Sequence, residues 1–306
     1  YIPVRTREIW PNQSTSVQAG NETTDVLVLK YRKRSHQKNT SNDSTWVGVT
    51  TSLYSGDYDQ TQSKFFEVWL KGSKGKLTID LGKISEDWDG NGILNTEDIP
   101  EAGLTLGNGF LEDPEDTGLD GCFDEYENGW GGCLDQNTYQ FYLDQGESTL
   151  INTGYDIDLN DPNGDNWNYD QGSNDYSRAN GTEGNGTGSK IQEGGKYPDT
   201  EDLDRSGFLD KVNDYFSTSF HLTDTTYLAG QTEKNGIPTG WKLFRIPLSE
   251  FKNSGSTEWN EVRYIRMSVS DFDSVYSALQ VAKIEIVGNE WQELGVFAPS
   301  MDGDDN

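Results

Sequence analysis

Residues 86–98 read EDWDGNGILNTED, a stretch in which oxygen-bearing side chains alternate with small or turn-forming residues. Short carboxylates at alternate positions of a tight turn can gather several oxygens around one hard cation, at roughly 2.3–2.6 Å. Numbered as a calcium loop, Asp87 takes position 1, Asp89 position 3, Asn91 position 5, and Gly92 the sharp turn at position 6. Ile93 offers its backbone carbonyl at position 7, Asn95 takes position 9, and Asp98 closes the loop at position 12. The preceding KLTIDLG reads as strand, Pro100 interrupts any helix after the loop, and the closing residue is Asp where an EF-hand has Glu. Those departures favour a lone structural site over a paired sensor. The competing reading is a solvated, Asx-rich turn.

A second loop lies in EDLDRSGFLDKVND. Asp202, Asp204, Ser206, Gly207, the Phe208 carbonyl and Asp210 fall on positions 1, 3, 5, 6, 7 and 9, and position 12 falls on Asn213, with Asp214 beside it. A third candidate is EDTGLDGCFDEYE, in which Asp116, Asp120, Asp124 and Glu127 recur at short regular intervals. It resembles the acidic repeats of thrombospondin-type calcium modules. A fourth, DIDLNDPNGDNWNYD, carries Asp156, Asp158, Asp161, Asn163, Asp165 and Asp170 and admits more than one register. The expected cofactor is Ca²⁺, as several structural ions. Cys122 and Cys133 are the two cysteines of the chain and stand close together. They suggest a disulfide closing a small loop in an oxidising compartment. Independent thiols or a redox pair are the alternatives, although the acidic neighbours disfavour a thiolate.

The elements that must position these loops are β-strands. DVLVLKY (25–31), KFFEVWL (64–70), KLTIDLG (76–82), DYFSTSFHL (214–222), WKLFRIPL (241–248), VRYIRMSVS (262–270) and ALQVAKIEIV (278–287) are rich in β-branched and aromatic residues, and TYQFYL (138–143) is a weaker candidate. About eight strands with turn-rich connections predict an all-β fold, a β-sandwich of jelly-roll type. Residues 1–82 and 214–292 would form it, with 83–213 as a calcium-loop insertion and 293–306 as an acidic tail. The insertion is rich in Asp, Asn, Gly and Glu and cannot offset its ordering entropy by apolar burial alone. Metal binding would do so, turning binding energy into folding energy.

The totals agree with a folded acidic domain. Only 32% of the 306 residues are hydrophobic, but nine Trp and fifteen Tyr supply large buried areas. A net charge of -28 argues against nucleic acid and anionic membrane surfaces as partners and favours cations. No apolar run is long enough to span a bilayer as a helix. A chain opening at Tyr1 reads as a processed protein or as a piece of a longer one.

No catalytic constellation emerges. His36 and His221 are the only histidines and belong to no paired metal or nucleophile motif; the expectation is a non-enzyme. Trp130, Trp167 and Trp259 sit in polar, loop-like contexts where an indole can stack on a sugar ring or cap a loop.

Several phrases occur together and in order: WVGVTTSLYSGDYDQTQSKFFEVWLKGSKGKLTIDLGKISED, NTEDIPEAGLTLGNG, YPDTEDLDRSGFLDKVNDYF, GWKLFRIPLSEF and VRYIRMSVSDF. Between about Trp46 and Glu293 the chain resembles soluble repeats of the SprA (Sov) family, cell-surface proteins of gliding bacteria that form the outer-membrane translocon of type IX secretion. The resemblance implies an extracytoplasmic, non-enzymatic, β-rich domain, either part of such a translocon or a free-standing relative. Its partners would be components of a secretion or surface assembly, with glycans as the alternative.

Overall fold

The computed structural model describes residues 2–12, 22–31, 45–53, 59–88, 90–100, 107–118, 121–127, 160–168, 173, 175, 198–273 and 275–288. In chain order the elements are β1 (Ile2–Arg5), a helical turn α1 (Thr6–Ile9), β2 (Thr23–Tyr31), β3 (Trp46–Ser52), β4 (Phe65–Lys71) and β5 (Lys76–Lys83), then β6 (Asp214–His221), β7 (Leu228–Lys234), β8 (Ile237–Pro247), β9 (Lys252–Asn253), β10 (Tyr264–Ser270) and β11 (Ser277–Val287). All the strand pairs are antiparallel. They form two sheets, ordered β1-β2-β11-β4-β8-β7 and β3-β10-β5-β6-β9. The expected all-β sandwich is therefore what the chain builds.

Alternation explains the facing layers. In β4, Phe66, Val68 and Leu70 are buried while the residues between them are not. Because successive side chains of a strand point to opposite faces, one face of β4 lies on the core. Leu77, Ile79 and Leu81 of β5, Phe244 and Ile246 of β8, and Met267 and Val269 of β10 join them in one apolar cluster. A half-buried ion pair crosses the second sheet, with Arg266 Nε donating to Asp80 Oδ2 at 2.8 Å. The Arg266 guanidinium also lies over the Tyr215 ring.

Seven strands match the sequence patterns, and TYQFYL lies outside the described residues. β3, β7 and the short β1 and β9 were not expected. Each is short, polar or weakly alternating, and each pairs with a neighbour that supplies the ladder: β3 with β10, β7 with β8, β1 with β2, and β9 with β6. A smaller apolar cluster lies on the outer face of the six-stranded sheet, where Ile9, Val26 and Trp241 are buried beneath Trp10 and Trp69.

The long segment between β5 and β6 leaves and returns at one place. Lys83 pairs with Asp214, so the strands on either side of it are direct neighbours. Gly82 permits the close approach there. Its φ is +151°, and a Cβ would sit 2.7 Å from the Asp214 carbonyl oxygen.

Candidate metal centre

The first two acidic loops fold as copies of one motif. EDWDGNGILN (86–95) and EDLDRSGFLD (201–210) share Glu, Asp, Asp, Gly and Leu at the same places. Both turn through left-handed residues at equivalent points, Gly90 and Arg205, then Gly92 and Gly207. Asp87 Oδ2 accepts from Gly92 N at 3.1 Å, and Asp202 Oδ2 accepts from Gly207 N at 2.7 Å. Asn91 and Ser206 likewise accept from the backbone N–H two residues on. The Ile93 and Phe208 side chains are 66% and 78% exposed, so at these positions only the backbone carbonyl is left to serve the loop.

The first loop packs directly against the second. Glu86 reaches into the second loop, where its carboxylate accepts from Leu203 N at 2.9 Å and Asp210 N at 2.9 Å. Glu201 reaches into the first loop and accepts from Trp88 N at 3.1 Å and Asn95 N at 2.8 Å. The backbones follow the same exchange, Glu86 N donating to Asp210 O and Glu201 N to Asn95 O. An antiparallel bridge between Thr96 and Thr200 completes the pairing. One result is a cluster in which carboxylate oxygens of Glu86, Asp202 and Asp204 lie within 4.8 Å of one another.

This pair is fastened to the sandwich at Tyr264. The Tyr264 hydroxyl lies 3.0 Å from both Glu86 Oε1 and Asp210 Oδ2, and Arg263 Nη1 donates to Asp210 Oδ2 at 3.3 Å. Burial, foremost, raises the Glu86 carboxyl above its ordinary range, and nearby Asp204 acts in the same sense. Burial and the hydrogen bond to Asp210 also raise the Tyr264 phenol.

The third and fourth stretches meet in a second cluster. Oxygens of Asp124, Glu127 and Asp161 lie within 4.8 Å of one another. Glu127 is fully buried and accepts from Asn163 N at 2.7 Å. Asp116 is also buried and accepts from Trp167 N at 3.0 Å, while Asp161 accepts from Gly164 N and Asp165 N. Asp89, Asp120, Asp156, Asp158, Asp170, Trp130 and Cys133 lie outside the described residues; Cys122 is buried.

Glu97 ties the two clusters together. Its carboxylate accepts from the Thr117 N and hydroxyl at 2.8 and 3.0 Å on one side and from Asp199 N at 2.7 Å on the other. Burial pushes its carboxyl up to about 7. Asp98, expected to close the first loop, accepts from Gly109 N and so holds a neighbouring turn. Trp259 is half-buried, its ring stacked 3.9 Å from that of Phe216, so one indole face is covered by the core. Glu86, Glu97 and Glu201 are absent from the ligand sets read from loop numbering. Each of the three opens a Glu-Asp doublet, Glu86-Asp87, Glu97-Asp98 and Glu201-Asp202, and that repeat is the signal that points to them.

The donor set is all oxygen, which suits a hard cation such as Ca²⁺ and not a soft or nitrogen-seeking metal. Asp87 Oδ1 is enclosed and has no hydrogen-bond partner among the described residues, as a ligand atom awaiting a cation would be. Neither a scan against protein-family models nor a search of curated proteins finds a match.

This geometry makes the two loops energetically coupled. Glu201→Ala and Glu86→Ala should each cost about 2–4 kcal/mol, since they leave two and three backbone donors, respectively, without a charged acceptor. The double variant should lose less than the sum, because the first change already opens the pair. Urea midpoints of the three variants check this, and full additivity would show that the loops act independently.

The Glu97 carboxyl has a folded-state pKa above its unfolded value, so its contribution is present below about 4.5 and lost as pH rises through about 7. Metal-stripped protein should therefore have a lower urea midpoint at pH 7.5 than at pH 5.5. Glu97→Gln should flatten that difference, and an unchanged slope would count against the assignment.

Proposed function

We propose that the chain is a calcium-stapled, extracytoplasmic domain of a SprA-like cell-surface secretion protein, with a structural or recognition role and no catalysis. The observation that carries the calcium reading is the reciprocal exchange of Glu86 and Glu201 between two copies of one acidic loop. Backbone N–H groups partly satisfy these buried carboxylates, but the negative charge gathered with Asp202 and Asp204 still needs a cation. Calcium would neutralise it and cross-link a segment whose sequence is rich in Asp, Asn, Gly and Glu. Domains exposed to millimolar external calcium can use sites of modest affinity in this way.

Support for the cell-surface reading is the ordered set of SprA-like phrases, most of which fall on the strands and the paired acidic loops. A Cys122–Cys133 disulfide would fit the same compartment and would brace the turn beside Asp124. A jelly-roll reading of the sandwich is supported by the strand order, in which β2, β3 and β5 pair with β11, β10 and β6. Among the described residues no helix is long and apolar enough to cross a membrane. Partners would be other components of a secretion or surface assembly.

Chelation tests the metal. In excess EGTA, amide hydrogen exchange should accelerate throughout residues 84–213 while β4, β5, β8 and β10 stay protected; unchanged exchange in the insertion would reject calcium as its staple. Cell fractionation tests the setting. An antibody against this domain should detect it in the outer-membrane or surface fraction, and a purely cytoplasmic signal would reject the extracytoplasmic assignment.

A further inference from the structure

We propose a second binding site, for an uncharged glycan, on the outer face of the six-stranded sheet. It is a groove of about 570 Å³, walled on one side by Trp10 and Asn12 after α1 and on the other by Gln231 and Glu233 of β7, with Trp69 of β4 and Lys283 of β11 also lining it. That volume falls within the range of small-ligand sites, roughly 300–1,000 Å³. The groove lies apart from the acidic loops and stands whether or not they bind calcium.

The strand register explains its lining. Phe66, Val68 and Leu70 take the inner face of β4, which turns Trp69 outward. Lys283 stands opposite Trp69 in the ladder. The indoles of Trp10 and Trp69 meet edge to face, with centroids 5.8 Å apart and planes at 88°. Beneath them the buried Ile9, Val26 and Trp241 hold both rings, so the aromatic wall is formed in advance of any ligand. β7 is the edge strand, and its register shifts between Gln231 and Glu233. A bulge of that kind re-aims side chains. Gln231 Nε2 donates to Glu233 Oε1 at 3.4 Å, and Lys283 is paired with Glu285 at 2.7 Å, so the polar rim is also partly ordered.

Flat apolar rings beside amide, carboxylate and ammonium groups match a pyranose, which offers a C–H face for stacking and a rim of hydroxyls for hydrogen bonds. The charge balance selects an uncharged chain. One acid and one base line the groove, while the net charge of -28 repels polyanions. Glycoside cleavage generally uses two carboxylates across the scissile bond. Among the described residues Glu233 is the one carboxylate lining this groove, which suits binding and not cleavage.

Affinity electrophoresis of the intact chain through gels containing hydroxyethyl cellulose, glucomannan, β-1,3-glucan or soluble starch tests the proposal, with alginate as the anionic control. At least one uncharged polysaccharide should retard the protein and alginate should not. Trp69→Ala should abolish retardation. Because Trp69 also packs on the buried Ile9–Trp241 cluster, exposed Gln231 and Glu233 provide the folding-neutral variants. Gln231→Ala and Glu233→Ala should each weaken binding about tenfold, the loss of a hydrogen bond or two, with an unchanged circular dichroism spectrum. The proposal is overturned if no uncharged polysaccharide binds, if alginate alone binds, or if retardation survives Gln231→Ala and Glu233→Ala undiminished.

Discussion

A buried carboxylate accepting backbone N–H groups from a distant segment is the interaction on which the acidic half of this protein depends. Glu86, Glu97, Asp116, Glu127 and Glu201 are all buried, and each reaches a residue remote in the chain. In an ordinary domain leucines and valines would hold such segments together. Here charge-assisted hydrogen bonds take that place, and each is shorter-ranged and more directional than apolar contact. The substitution carries a penalty, since every such carboxylate brings negative charge into a region already rich in it. A segment built this way has its stability tied to protons or cations, and its geometry already gathers oxygen ligands.

The sandwich makes that design workable. Because Lys83 and Asp214 are ladder partners, the insertion begins and ends on adjacent strands, and the sheet supplies the closure. Loop-closure entropy grows only slowly with length, so a long excursion anchored at one point costs little more than a short one. Tyr264 then passes the rigidity of β10 to Glu86 and Asp210. The paired loops are thus held at the end of a rigid strand, while Glu97 carries the same order to the second cluster.

The outer face of the six-stranded sheet obeys different rules. There Trp10 and Trp69 pack on a small buried patch of Ile9, Val26 and Trp241, and the polar side chains of an irregular edge strand complete a groove. Charge sets the acidic loops against anions and in favour of cations; shape and aromatic surface set the groove in favour of a flat, hydroxyl-rimmed ligand. The two regions use separate parts of the fold and need not act together.

The information that the sequence carried by itself was local. Runs of β-branched and aromatic residues, partly alternating with polar ones, marked β2, β4, β5, β6, β8, β10 and β11, because such side chains suit a pleated, half-buried strand. The loop turns were legible for the same reason: Gly92 and Gly207 occupy left-handed conformations that a few neighbouring residues require. Pairing was not legible. Glu86 finds its partners at Leu203 and Asp210, and no local pattern encodes which of many acids will be carried that far by a β-sheet. Only the tertiary structure likewise decided which tryptophans face solvent. Trp259, in a polar stretch, stacks on Phe216, whereas Trp69, in an apolar one, lines the groove. An indole is amphipathic, so its role depends on what the fold places against each face, and that is set by contacts remote in sequence.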